Sequence, residues 1–126
     1  MQKEYNLLLE PVCNIARDAG VAIMDIYATN FSSERKADGS LVTKADTAAE
    51  TIILSALASL TPDIPIVSEE RSAIGDFPDI TGGTFWSVDP LDGTREFVKR
   101  NDEFTVNIGL IIDLKPVLGV LYAPAL

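Results

Sequence analysis

The sequence predicts an α+β fold, a layered arrangement of two helices packed on one mostly antiparallel sheet. Apolar residues recur at helical spacing through the first half of the chain and at a two-residue period near its end. Between these regions, two short apolar runs each finish in an acidic cluster. Helices followed by strands that loops separate suggest helices covering a sheet.

The first helix is marked by Leu8, Val12, Ile15, Ala16, Ala19, Ala22, Ile23, Ile26 and Tyr27, with Arg17 and Asp18 on the opposite face. Proline is tolerated in a first turn, so the well-formed helix is expected to begin near Pro11 and to end by about Asn30. Phe31 to Val42 reads as extended, with a turn at Asp38-Gly39-Ser40. Thr43 stands three residues before Asp46, the spacing of a capping box, and Ala49, Ile52, Ile53, Ala56, Leu57 and Leu60 continue a second helix to Thr61-Pro62.

Pro65 to Ser68 suits a short buried strand ending at Glu69-Glu70, and Ile74 to Gly83 a surface loop. Thr84 to Val88 makes another strand, ending in what reads as a turn, Asp89-Pro90-Leu91-Asp92-Gly93-Thr94. Val106, Ile108, Leu110 and Ile112 alternate with other residues, and Val117 to Tyr122 returns after a turn at Asp113 to Pro116, giving a hairpin.

Composition excludes several chemistries. The chain of 126 residues carries a net charge of −9, no histidine and one cysteine. Without histidine there is no Ser-His-Asp or Cys-His machinery and no His-ligated zinc. Cys13 alone forms no internal disulfide and reads as a small buried hydrophobe. The acidic balance argues against nucleic acid polymers as partners, which require Lys and Arg to neutralise phosphates. No uncharged apolar run approaches the ~20 residues of a transmembrane segment. A cytoplasmic address is expected, compatible with peripheral association with the inner membrane.

Oxygen ligands at loop ends suit hard cations such as Mg²⁺, which makes Asp46, Glu69, Asp89 and Asp92 the candidates for chemistry. Each also has a plain reading: Asp-Pro and Asp-Gly are turn signals, Glu69-Glu70 a solvated strand exit, and Asp46 a charge favoured by the helix dipole. Spacing alone leaves the choice open. No Walker loop or Rossmann fingerprint is present, and the acidic string fits neither a D-x-D-G-T nucleophile loop nor an EF-hand. Trp86 reads as core packing, and Lys99-Arg100 as a solvated loop pair rather than a seat for a distal phosphate.

Taken in order, Val42-Thr43-Lys44-Ala45-Asp46, Ile66-Val67-Ser68-Glu69-Glu70 and Trp86-Ser87-Val88-Asp89-Pro90-Leu91-Asp92-Gly93-Thr94 resemble the signatures of the inositol monophosphatase superfamily of Mg²⁺-dependent, lithium-sensitive phosphatases. Asp92 to Phe97, Lys99-Arg100-Asn101, Glu103 to Ile108 and Gly119 to Pro124 are most similar to its bacterial 3'(2'),5'-bisphosphate nucleotidases. The resemblance implies the amino-terminal lobe of the sugar-phosphatase fold and removal of the 3'-phosphate of adenosine 3',5'-bisphosphate, a by-product of sulfate assimilation. It also implies two or more Mg²⁺ ions. Glu69, Asp89 and the Leu91 carbonyl match the first metal site, and Asp89 and Asp92 match ligands of the second. Gly93 and Thr94 match the phosphate cradle, to which Lys36 is added, and Thr94 with Asp46 matches the pair that orients and deprotonates the attacking water.

Members of that superfamily are longer. The expectation is therefore that residues 1–126 form a single amino-terminal lobe without the carboxy-terminal lobe, which supplies a further aspartate to the second metal and most of the substrate pocket. Weak or absent turnover is expected of such a chain. Inositol monophosphatase activity, or a non-catalytic metal-binding fragment that forms a homodimer through its uncovered face, are the alternatives.

Overall fold

The computed structural model describes residues 2–31, 33–35, 41–73, 75 and 77–126. Its elements run α1 (Gln2–Tyr27), β1 (Ser33–Arg35), β2 (Leu41–Thr43), α2 (Lys44–Leu60), β3 (Ile66–Ser68), α3 (Glu69–Ala73), β4 (Phe85–Asp92), α4 (Thr94–Lys99), β5 (Thr105–Ile112) and β6 (Lys115–Tyr122). Strands β3-β4-β5-β6 form a four-stranded sheet, parallel between β3 and β4 and antiparallel elsewhere, while β1 and β2 form a separate antiparallel pair. The expected architecture of two main helices on a mostly antiparallel sheet is present. Lys36 and the Asp38-Gly39-Ser40 turn lie outside the described residues.

The first helix begins two turns earlier than Pro11 suggested, and Pro11 sits inside it. Proline removes one backbone donor from a helix interior, but Tyr5 and Leu8 pack against the core cluster and continue the apolar stripe ahead of it. Val12, Ile15, Ala16, Ala19 and Ile23 face that core, where Ala45, Ala49, Ile53 and Leu57 of α2 meet them. Gly20 allows α1 to approach the end of β6, since a Cβ there would lie 2.5 Å from the Tyr122 ring. Cys13 is half-buried rather than enclosed, on the flank of the stripe.

From the sheet, Trp86, Val88, Val106, Ile108 and Leu110 fill the same core, following the two-residue period of a strand with one covered face. Trp86 is fully buried, and its indole N–H donates to Thr61 Oγ1 at 2.8 Å, satisfying the one polar atom of the ring. The opposite face carries an open groove of about 450 Å³ whose lining includes Ser87, Asp89, Asn107, Gly109, Ile111 and Leu121. The β5–β6 turn is tighter than expected. Asp113 and Leu114 both have positive φ, as a two-residue type I′ connection requires, so Lys115 and Pro116 already belong to β6.

Two further differences concern the segment after Val88. The acidic string read as a turn is the end of β4, which pairs with β5 to Asp92 across a register shift between Asp89 and Asp92. Pro90 and Leu91 occupy that irregularity, where a missing N–H breaks no ladder bond. The chain then forms α4, which the sequence reading did not anticipate.

Arg100, expected in a solvated pair with Lys99, adopts a left-handed conformation that ends α4. Its guanidinium donates to the carbonyls of Tyr27 and Thr29 at 2.6 and 2.5 Å and lies 4.5 Å from the Phe31 ring centroid. It closes the end of α1 over an aromatic cluster of Tyr27, Phe31, Phe97 and Phe104, with centroids 4.6 to 5.1 Å apart. Phe97→Ala should cost about 3–5 kcal/mol, read as a lowered denaturant midpoint with an unchanged slope.

Candidate active site

Parallel pairing of β3 with β4 sets Ser68 opposite Val88, so the next residues, Glu69 after the end of β3 and Asp89 within β4, lie side by side where that pairing stops. Their carboxyl groups are in contact. Burial, the shared hydrogen bond with Glu69, and the charges of Glu69 and Asp92 push the Asp89 carboxyl from 3.8 up to about 7. Asp89 Oδ1 is buried without a hydrogen-bond partner among the described residues. An orphaned acceptor between like charges is an arrangement that a cation would relieve.

Asp46 closes the site from the helical side. As the third residue of α2 it completes the expected capping box: the Thr43 backbone N–H and hydroxyl both donate to Oδ2 at 2.8 Å, while Thr43 Oγ1 accepts from the Ala45 N–H. Its other oxygen, Oδ1, accepts from Thr94 Oγ1 at 2.8 Å, across 48 residues of sequence. The Leu91 carbonyl is a second, longer acceptor for that hydroxyl at 3.3 Å. Burial raises the Asp46 pKa, and the bonds from Thr43 and Thr94 oppose the rise.

Gly93 links β4 to α4 with φ +94°, and a Cβ there would lie 2.9 Å from the Glu103 carbonyl oxygen. The close approach that this glycine permits is to the chain's own β5 entry. Leu91 is buried, and Asp92 is exposed at the sheet's end. Thus Thr94 joins Asp46 to the Leu91 carbonyl, Asp89 stands against Glu69 and within reach of the Asp92 charge, and Gly93 links Asp92 to Thr94. Lys36 lies outside the described residues.

Glu50, Asn107 and Thr105 escaped the sequence reading. Glu50, one turn beyond Asp46 on α2, accepts from the buried Ser68 hydroxyl at 2.6 Å and lies 3.8 Å from the Arg71 guanidinium, tying α2 to the β3–α3 junction that carries Glu69. Asn107 Nδ2 donates to Asp92 Oδ2 at 3.1 Å, and Thr105 Oγ1 donates to Asn107 Oδ1 at 3.1 Å. No local motif signals these pairings. Only the two-residue period of β5, which places Thr105 and Asn107 on one face, hints at the last of them.

Residues 4–126 match the inositol monophosphatase family. The chain belongs to that family. Among curated relatives it is 55% identical over 121 residues to the 3'(2'),5'-bisphosphate nucleotidase CysQ of Salmonella typhimurium, covering 94% of this chain and 49% of that protein. The same shares hold at 50% identity for the nucleotidase CysQ of Escherichia coli K12. The chain spans about half the length of these curated relatives.

Among solved structures, the extragenic suppressor protein suhB of Bartonella henselae superimposes with a TM-score of 0.83 at 29% identity, covering 94% of this chain and 46% of that one. CysQ of Bacteroides thetaiotaomicron, itself described as a bacterial member of the inositol monophosphatase family, gives 0.69 at 39% identity, covering 92% and 42%.

Mg²⁺ is the ion that the family resemblance implies, and the donors here are hard oxygens suited to it. Among the described residues no group of three acidic side chains is drawn together as a ready cage. The fit rests on the touching pair Glu69 and Asp89, the orphaned Asp89 oxygen, and Asp92, whose charge acts on Asp89.

Because folding raises the Asp89 pKa, the folded protein keeps a proton that the unfolded chain releases above about pH 4. The contribution of Asp89 to the stability of the metal-free protein is therefore fully present below about pH 4 and is lost as pH rises through about 7. Asp46 contributes with the same sign. Thermal unfolding from pH 4 to 8 in chelator should show this decline, and Asp89→Asn should flatten it and melt above the parent at pH 8.

Proposed function

We propose that this site serves Mg²⁺-dependent hydrolysis of phosphate monoesters, with adenosine 3',5'-bisphosphate as the substrate and AMP and phosphate as products. The Thr94 hydroxyl held on Asp46, directly after the strand β4 that carries Asp89 and its contact with Glu69, is the observation that carries the reading. Glu69, Asp89 and the Leu91 carbonyl would hold one ion, and Asp89 with Asp92 would contribute to a second. When bound, such ions neutralise phosphoryl oxygens and acidify a water.

The chain's own residues supply orientation and a proton path. Thr94 commits its proton to Asp46 at 2.8 Å, which leaves the hydroxyl's lone pairs to accept from a water. As that water attacks phosphorus, its proton passes to Thr94 while the Thr94 proton passes to Asp46. The bond from phosphorus to the 3'-oxygen breaks, that oxygen takes a proton from solvent water to leave as the nucleoside hydroxyl, and Asp46 returns its proton to solvent. Burial suits Asp46 to the role, because it favours the protonated carboxyl. Backbone N–H groups at Gly93 and Thr94 are proposed to meet the phosphate, and positioning with charge neutralisation accounts for a histidine-free site.

The nucleotide is preferred over inositol phosphates because the relatives matched at 50 to 55% identity are named bisphosphate nucleotidases. The chain is proposed to be the amino-terminal lobe of such an enzyme, with the rest of the nucleoside pocket and a further aspartate expected from the other half of the relatives' length.

Phosphate release should be measured from adenosine 3',5'-bisphosphate and from inositol 1-phosphate, with Mg²⁺, with chelator and with lithium. Mg²⁺-dependent, lithium-inhibited release that favours the nucleotide is expected. Thr94→Val should lower it by about 10²-fold or more, and Thr94→Ser should retain it. Release that survives chelator, or that is equal in Thr94→Val, would contradict the reading.

A further inference from the structure

We infer that Asn107 is a positioning residue for Asp92, one that fixes this carboxylate for a divalent cation without neutralising it; the inference rests on the cation site proposed above. Asn107 is the register partner of Asp89, and Thr105 is the register partner of Asp92, with the β4 irregularity between the two pairs. Asn107 and Asp89 line the same open groove. From opposite Asp89, the Asn107 side chain reaches across the irregularity, and its Nδ2 donates to Asp92 Oδ2 at 3.1 Å.

A carboxylate only accepts, so the amide must present its NH₂ end to Asp92 and its carbonyl end to Thr105. Thr105 Oγ1 meets that carbonyl as a donor at 3.1 Å. The chain Thr105 to Asn107 to Asp92 therefore has one consistent direction, and each member holds the next.

This restraint matters because Asp92 is exposed and stands on an irregular strand end, where its side chain would otherwise sample several rotamers. A lysine at position 107 would cancel the charge of Asp92, and an aspartate would repel it. An amide does neither. Hydrogen-bonded outer partners of metal-binding side chains commonly alter affinity by about 10 to 100-fold, because ordering the ligand beforehand removes that entropy from binding.

The test is Mn²⁺ binding by the whole chain, followed at pH 8 through the electron paramagnetic resonance signal of free Mn²⁺. The series comprises the parent, Asn107→Ala, Asp92→Asn, the double variant and Thr105→Val, with thermal unfolding of each metal-free protein measured alongside. Asn107→Ala should weaken binding by about 10-fold while its metal-free melting temperature stays close to the parent's. In the Asp92→Asn background the same substitution should have no further effect, and Thr105→Val should fall between parent and Asn107→Ala. Equal affinity in parent and Asn107→Ala, or an undiminished effect in the Asp92→Asn background, would overturn the inference alone. A parent that binds no Mn²⁺ would overturn it together with the cation site.

Discussion

The parallel pairing of β3 with β4 is the constraint around which the candidate site is arranged. With Ser68 opposite Val88, Glu69 and Asp89 follow on neighbouring strands where the pairing stops, and their carboxyl groups meet there. Setting a half-buried carboxyl group against a second, exposed one works against folding while both are charged, and the raised Asp89 pKa is the sign of that cost. The fold tolerates this arrangement because a large core lies beneath it, built from α1, α2 and the covered face of the sheet.

Residues around that pair serve stability and chemistry at once. One Asp46 oxygen closes the start of α2 through Thr43, and the other holds Thr94 at the start of α4. Gly93 gives β4 the left-handed step that brings Thr94 to Asp46, and its missing Cβ lets the β5 entry pass close by. Glu50 anchors the β3–α3 junction from the neighbouring helical turn. A change at any of these positions therefore alters the shape of the site through the shape of the fold.

What could be read in the sequence was what is local. Thr43 and Asp46 are three residues apart, and their capping box forms as their spacing predicts. Helical and strand periods gave α1, α2, β5 and β6 because a single covered face imposes them. The end of β4 is not legible locally, since Pro90 and the Asp92-Gly93 pair carry turn preferences that pairing with β5 overrides. Helix α4 is six residues long, too short for a period to show. Arg100 on the α1 carbonyls, Thr94 on Asp46 and Glu50 on Ser68 join segments far apart in the chain. Family signatures located the Thr94–Asp46 pair, whereas nothing in the sequence marked Glu50 or Arg100 for its partners.

The central claim is that the Glu69–Asp89 contact leaves a charge that a divalent cation relieves, and Mg²⁺ titration at pH 8 followed by thermal unfolding tests it most directly. A ligand that binds only the folded state raises the melting temperature in a saturable way. The account predicts such a rise for the parent, with Asp89→Asn unresponsive across the same Mg²⁺ range. A parent whose melting temperature ignores Mg²⁺, or an Asp89→Asn protein that responds as fully as the parent, would contradict it.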